Sequence, residues 1–277
     1  KFGKEGGKDI YWRMIRINGD GSIRMIYSGT TDPKNESSVT GSNGVYMTGT
    51  GTQINTNTFK FNSGFNNPSY VGYMFTEGQQ HGNGTPSTIK TAIDNWYKTT
   101  TLETDAATKA LVSQDQIFCN DRSATTSRSG TPGEISGSMS TSTAYYYGAY
   151  VRLVTNKSPI LICPTESDKF TVNTSNGNGA LTYPVGIITA DEVAMAGGVY
   201  GSSNSSYYLY TNQYYWLGSP SYFRSSYANG FIVDSSGILF SNGVHTTNGA
   251  RPVVSLSSKA KLSGSGTYSN PYTVSSD

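Results

Sequence analysis

From Tyr207 to Leu256 no helical stripe is sustained, because Ser, Asn and Gly cut the chain into short alternating runs. In "GFIVD", Phe231 and Val233 fall on one face of a strand, and Ile232 and Asp234 on the other. Strands this short are stable only when paired into a sheet with a covered face. The region closes on the rigid pair Arg251-Pro252, followed by Val253. An antiparallel sheet is therefore expected at the carboxyl end.

The amino-terminal part repeats the theme. In "YWRMIRINGDGSIRMIYSG", Trp12 and Met14, then Ile23, Met25 and Tyr27, alternate with polar neighbours across Asn18-Gly19-Asp20-Gly21. That pattern predicts a β-hairpin. Residues 29–69 read as loops and short strands, and "SYVGYMF" at 69–75 as a strand.

Helices belong to the middle of the chain. "TPSTIKTAIDNWYKT" places Ile89, Ile93, Trp96 and Tyr97 on one face, with Thr85 as cap and Pro86 at the first helical position. A second helix is expected over about 104–113, with Ala107, Ala110 and Leu111 inward. In "ITADEVAMAGG", Thr189 and Glu192 form a capping box and Gly197 supplies the stop. Residues 120–144 read as a loop, and "AYYYGAYVRLV" as a strand. Strands first, helices in the middle and strands last define an α+β chain, expected as one domain over 1–277.

Composition excludes several classes. Charged residues make up 14% of the 277, with 20 Lys and Arg against 18 Asp and Glu and no basic run, so nucleic acid is not an expected partner. No stretch reaches the ~20 apolar residues that cross a bilayer, and membrane insertion by this chain is not expected. "KFGKEGGKDI" does not read as a signal peptide, so an exported protein would carry its address or anchor outside this sequence. Cys119 and Cys163 cannot make a zinc site by themselves, and the only two histidines, His81 and His245, lie far apart in sequence. The cysteines are either a disulfide or two buried thiols; the extracellular look of the chain favours the disulfide.

No catalytic constellation emerges. Asp191 and Glu192 suit the first turn of a helix better than acid–base work. Asp20, Asp94, Asp115 and Asp121 are scattered, and His81 and His245 read as plain loop residues with no nucleophile motif nearby. Calcium-loop spacing is missing. Neither a cofactor nor a metal is expected, and the chain is read as a non-enzyme. The Tyr, Ser, Asn and Gly of the last third suit a recognition surface instead.

The stretch from Tyr214 to Leu256, "YYWLGSPSYFRSSYANGFIVDSSGILFSNGVHTTNGARPVVSL", resembles the C-terminal half of C-type lectin-fold domains of bacterial surface proteins. "NWYKT", "FCNDRS" and "LTYPVGIITADEVAMAGG" resemble the remainder, so the likeness covers nearly the whole chain. The same fold serves formylglycine-generating oxidases and the variable proteins of diversity-generating retroelements, among them a phage tropism determinant. The oxidases carry a reactive cysteine pair near the final strands, where this chain has none. The sugar-binding branch carries Glu-Pro-Asn or Gln-Pro-Asp and Trp-Asn-Asp, whereas Trp216 is followed by Leu217-Gly218.

The retroelement branch fits best. Such systems mutate adenines, and an AAY codon then reaches every residue type except Lys, Gln, Glu, Met and Trp. Segment 224–246 contains none of those five, and Gly243 is among its reachable positions. The resemblance thus implies an adhesin- or receptor-type module, extracellular or on a cell or phage surface, with variable segment 214–256. Its ligand would be a protein or glycan on another cell or host surface. Tyr222, Phe223, Tyr227 and Phe240 would give apolar contact, and Arg224, Asn229, Asp234, Asn242 and His245 directional bonds. Ile232, Ile238 and Ser241 complete the expected face. Tyr215, Trp216, Phe231, Val233, Arg251, Pro252 and Val253 would hold it from beneath. A structural head of a pilin-like or wall-anchored protein is the alternative, followed by an oxidase.

Overall fold

The computed structural model describes residues 1–35 and 47–275. After a short antiparallel pair, Lys4–Glu5 with Lys8–Asp9, comes the expected hairpin, strands β1 (Trp12–Ile17) and β2 (Ile23–Tyr27). Gly21 turns the chain at φ 81°, and its N–H donates to the Asn18 carbonyl. Strand β3 (Thr58–Lys60) follows. Residues 69–75 correct the expected strand: Pro68–Val71 is a 3₁₀ turn, and only Met74–Phe75 is extended. Asn67 caps that turn through Ser69 N–H, an Asx arrangement that competes with a strand.

Helix α1 (Thr88–Tyr97) buries Ile89, Ile93, Trp96 and Tyr97. Its cap is Ser87, not Thr85, because Thr85–Pro86 pairs with Met74–Phe75. Lys90 is buried too, held by Asp94 at 2.5 Å one turn on. The expected helix over 104–113 is two short ones, α2 (Thr101–Thr104) and α3 (Ala106–Ala110). Asp105 interrupts them by leaving helical geometry to cap α3. Ala107 and Ala110 consequently face solvent, while Leu111 is buried.

Strand β4 (Ala124–Thr125) lies within the expected loop, and β5 (Tyr145–Tyr147) opens the expected strand. That strand then gives way to helix α4 (Gly148–Tyr150), continued as a π-helix over Val151–Asn156. Gly148 sits where a Cβ would lie 2.2 Å from the Asp121 carboxylate, so the turn into α4 needs glycine. After β6 (Gly186–Ile187), helix α5 (Ala190–Met195) carries the expected capping box, and Gly197 follows at φ 115°. The last strands are β7 (Tyr215–Arg224), β8 (Tyr227–Val233), β9 (Leu239–Gly243), β10 (Thr247–Gly249) and β11 (Pro252–Leu256).

These strands form two main sheets. One has four strands in the order β6-β11-β2-β1. The other has seven: β9-β8-β7-β5-β4, with β10 parallel to β7 and β3 antiparallel to β10. One cluster of buried side chains spans both, so the chain is α+β. Its centre is aromatic: Trp12, Tyr27 and Trp96 meet edge to face at 5.4–6.4 Å, and Phe61 meets Trp216 at 5.6 Å.

Buried charges tie the segments together. Arg251 is fully buried, donates to the carbonyls of Tyr27 and Leu209, and lies 4.9 Å over the Tyr215 ring. Arg122 meets Asp168 at 2.6 Å in the interior. Asp168 also accepts from His81, whose other ring nitrogen lies 3.1 Å from Glu134. His81 is therefore a pinned linker, which corrects its reading as a free loop residue.

Cys119 and Cys163 are joined as a disulfide, 44 positions apart. Closing a loop of that size restricts the unfolded chain and is worth about 2–4 kcal/mol. Reduction should lower the free energy of unfolding by that amount, read from the shifted midpoint of urea titrations with and without a reductant. An unchanged midpoint would mean the bridge is thermodynamically idle.

Candidate functional site

The site is built on the β7–β8 hairpin. Arg224 and Tyr227 pair across Ser225 and Ser226, both at positive φ (52° and 62°). That is the conformation of a tight turn whose twist matches the strands. Along β7 the pairing slips on both sides of Pro220, which has no N–H for the ladder. After the slip Phe223 turns inward, whereas Tyr222 stays half-exposed.

Five tyrosines surround a groove of about 560 Å³ beside the hairpin. Tyr222 and Tyr227 come from the hairpin, Tyr146 from β5, Tyr150 from α4 and Tyr200 from the segment before β7. Tyr150 stands edge-on to Tyr222 at 5.8 Å and packs on Tyr146 at 5.1 Å. Burial pushes the Tyr150 and Tyr222 hydroxyls above the usual phenol range, so both keep their protons at neutral pH. Two exposed arginines, Arg128 and Arg224, complete the walls, and the lining contains no carboxylate. Arg128 lies 5.6 Å over the Tyr146 ring and donates to its hydroxyl at 3.3 Å.

The aromatic surface continues past both ends of the groove. Phe65 stacks on Tyr227 at 5.2 Å, and His245 lies 4.7 Å from Phe65. On the other side Tyr200 stacks on Phe240 at 6.0 Å. Tyr227 and Phe240 are 47% and 49% exposed, which is costly for large apolar rings with no partner.

The expected face divides when placed in the structure. Tyr222, Arg224, Tyr227, Phe240 and His245 share this surface. Phe223 and Ile232 do not, being 1% exposed each, and Ser241 is buried against Ser221 at 2.6 Å. Ile232 was expected outward with Asp234, but both faces of β8 are covered, so alternation there does not separate core from solvent. Asn229 lines the groove although it is largely buried, and it donates to the Tyr227 carbonyl at 2.9 Å. Asp234 accepts from the N–H groups of Ser236 and Ile238, which closes the turn before β9. Ile238 is half-buried in that turn, and Asn242 accepts from Gly243 N–H. The expected supports, Tyr215, Trp216, Phe231, Val233, Arg251, Pro252 and Val253, are all buried.

Arg128, Tyr146, Tyr150, Tyr200 and Phe65 escaped the sequence reading. The run of tyrosines at 145–147 and 150 was a signal available in principle.

Among the described residues no cluster of His, Cys, Asp and Glu is arranged to hold a metal ion. Asp191 and Glu192 are spent on arginines: Arg152 grips Asp191 with two N–H groups at 2.9 and 3.0 Å, and Arg24 meets Glu192 at 2.6 Å. Comparison with protein-family models, curated proteins and solved structures gives no match, so the reading of this site rests on its own geometry.

Proposed function

We propose that the chain is a non-enzymatic recognition module with a C-type lectin-like fold, of the variable-protein kind, that binds its partner through the aromatic face at the β7–β8 hairpin. The observation that carries this is the exposure of Tyr227 and Phe240, each stacked on a second ring and joined through the tyrosine groove. Rings held in fixed orientation at the surface lose little entropy on binding and bury much area. The disulfide favours an oxidising compartment, in keeping with extracellular display.

The test is to pan a random peptide library on the immobilised protein and measure enriched peptides on wild type and on a Tyr227→Ala/Phe240→Ala variant. A roughly hundredfold loss of affinity is expected, the worth of two aromatic hot spots. The melting temperature should be unchanged, because both rings stand outside the core. Equal affinity for the variant would eliminate the face and favour a structural head domain.

A further inference from the structure

Resting on that reading, we infer that the groove is built for an acidic protein segment, with Arg128 and Arg224 receiving its carboxylates and the tyrosines its apolar parts.

Charge comes first. The lining holds two arginines and no Asp or Glu. Among the described residues Arg224 has no ion-pair partner, although it stands at the hairpin tip where the turn fixes its origin. Arg128 is fixed differently: its side chain lies over Tyr146, and its carbonyl accepts from the Thr155 hydroxyl at 2.8 Å. One N–H of its guanidinium is used on the Tyr146 hydroxyl, and the others are left for a ligand. Two guanidiniums facing one groove repel each other, and a bound anion relieves that repulsion. Arginine forks also match carboxylate geometry in a two-pronged fashion.

Composition separates a protein from an acidic glycan. A sugar presents many hydroxyl donors, and the groove lining offers them no carboxylate acceptor. The exposed face is instead rich in Tyr, Phe and Arg. That mixture, poor in Lys, Asp and Glu, marks the core of protein–protein interfaces. The stacked pairs beyond each end of the groove extend the apolar surface past what a single acidic sugar would cover.

The inferred contact is with side chains on the sheet face and not with a sheet edge. At one end of the β9-β8-β7-β5-β4 path, Leu239 exchanges hydrogen bonds with Val199 and Gly201. At the other end, Ala124 and Gly133 bond each other in both directions at 2.9 Å. With the main chain at Leu239 and Ala124 already paired, the groove is approached across the sheet face, through side chains.

The probe is a random copolymer of Glu and Tyr, measured by fluorescence anisotropy on the whole chain, with a Lys–Tyr copolymer and polygalacturonate as comparisons. The Glu–Tyr copolymer should bind, weaken as salt rises, and lose on the order of tenfold to a hundredfold affinity in an Arg128→Glu/Arg224→Glu variant. Arg128→Gln/Arg224→Gln should lose less, with the fold confirmed by an unchanged melting temperature. The Lys–Tyr copolymer should not bind. Equal binding of polygalacturonate would overturn the choice of a protein ligand, and indifference to charge reversal would overturn the anionic class. A Tyr150→Ala/Tyr222→Ala variant separates the two levels. If it weakens the copolymer while charge reversal does not, the recognition face stands and the acidic inference falls. If neither variant matters, the face falls as well.

Discussion

Glu192→Ala should destabilise the fold by about 3–5 kcal/mol, the usual result of stranding one member of a buried ion pair. Glu192 is 4% exposed, and Arg24 of β2, 1% exposed, meets it at 2.6 Å. Arg16 on β1 approaches the same oxygen at 3.5 Å. Removing the carboxylate leaves a guanidinium in the interior and also strips the Thr189 N–H of its cap partner at 2.9 Å. Against a total of about 5–15 kcal/mol for a domain, that is a large share. Glu192→Gln keeps an acceptor for the cap and should fall between. The exposed Glu103–Lys109 pair at 2.5 Å is the control, and Glu103→Ala should cost less than about 1 kcal/mol. Denaturant titrations of the three variants give the comparison; equal costs would mean that water screens the buried pair.

The same carboxyl gives the acid side its sign. Burial alone would raise its pKa, yet Arg24, Arg16 and the Thr189 N–H together hold it below the usual value. Its contribution is therefore full above the unfolded pKa and is lost as pH falls through the folded one.

Alkali should unfold the chain between about pH 10 and 12, with a steeper dependence than one tyrosine could produce. Burial pushes the hydroxyls of Tyr27, Tyr73, Tyr97, Tyr147 and Tyr207 well above their usual range. Tyr27 is pushed further by Glu5, whose carboxylate accepts its hydroxyl at 2.7 Å. Above the unfolded value of about 10, the unfolded chain releases these protons and the folded chain keeps them. Stability is thus fully present below that pH and falls above it. The loss is about 1.4 kcal/mol per unit for each such group, or about 7 kcal/mol per unit for five together. Phenolate absorbance from the buried set should appear in the same pH interval in which the near-ultraviolet dichroism disappears. If those tyrosines ionise while the dichroism persists, the interior is open to water and the burial is overstated.

Local grammar explains what the sequence made legible. Asn18-Gly19-Asp20-Gly21 between alternating runs specifies a hairpin, and Thr189 with Glu192 specifies a helix start; neither needs distant partners. Tyr145 to Tyr150 was harder, because bulky aromatics suit a strand or a buried helix equally. The clash at Gly148 with Asp121, 27 positions upstream, coincides with the switch. On the candidate site, Tyr222, Arg224 and Tyr227 of the hairpin were named only through the family resemblance of segment 214–256. The opposite wall was not named, since Tyr146 and Tyr150 reach the hairpin only through the pairing of β5 with β7, Arg128 lies against Tyr146, and Tyr200 arrives through its bridge to Leu239 on β9. Ile232 misled for a related reason: a strand covered on both faces carries no alternation that could reveal which side is wet.

The covered ends of the large sheet bear on how such a protein could change allegiance. With main-chain groups at Leu239 and Ala124 already satisfied, a new partner has no backbone ladder to copy there. On the proposed reading, affinity would be rewritten one ring or one guanidinium at a time, at the exposed Arg224, Tyr227 or Phe240, with the packing beneath left as it was.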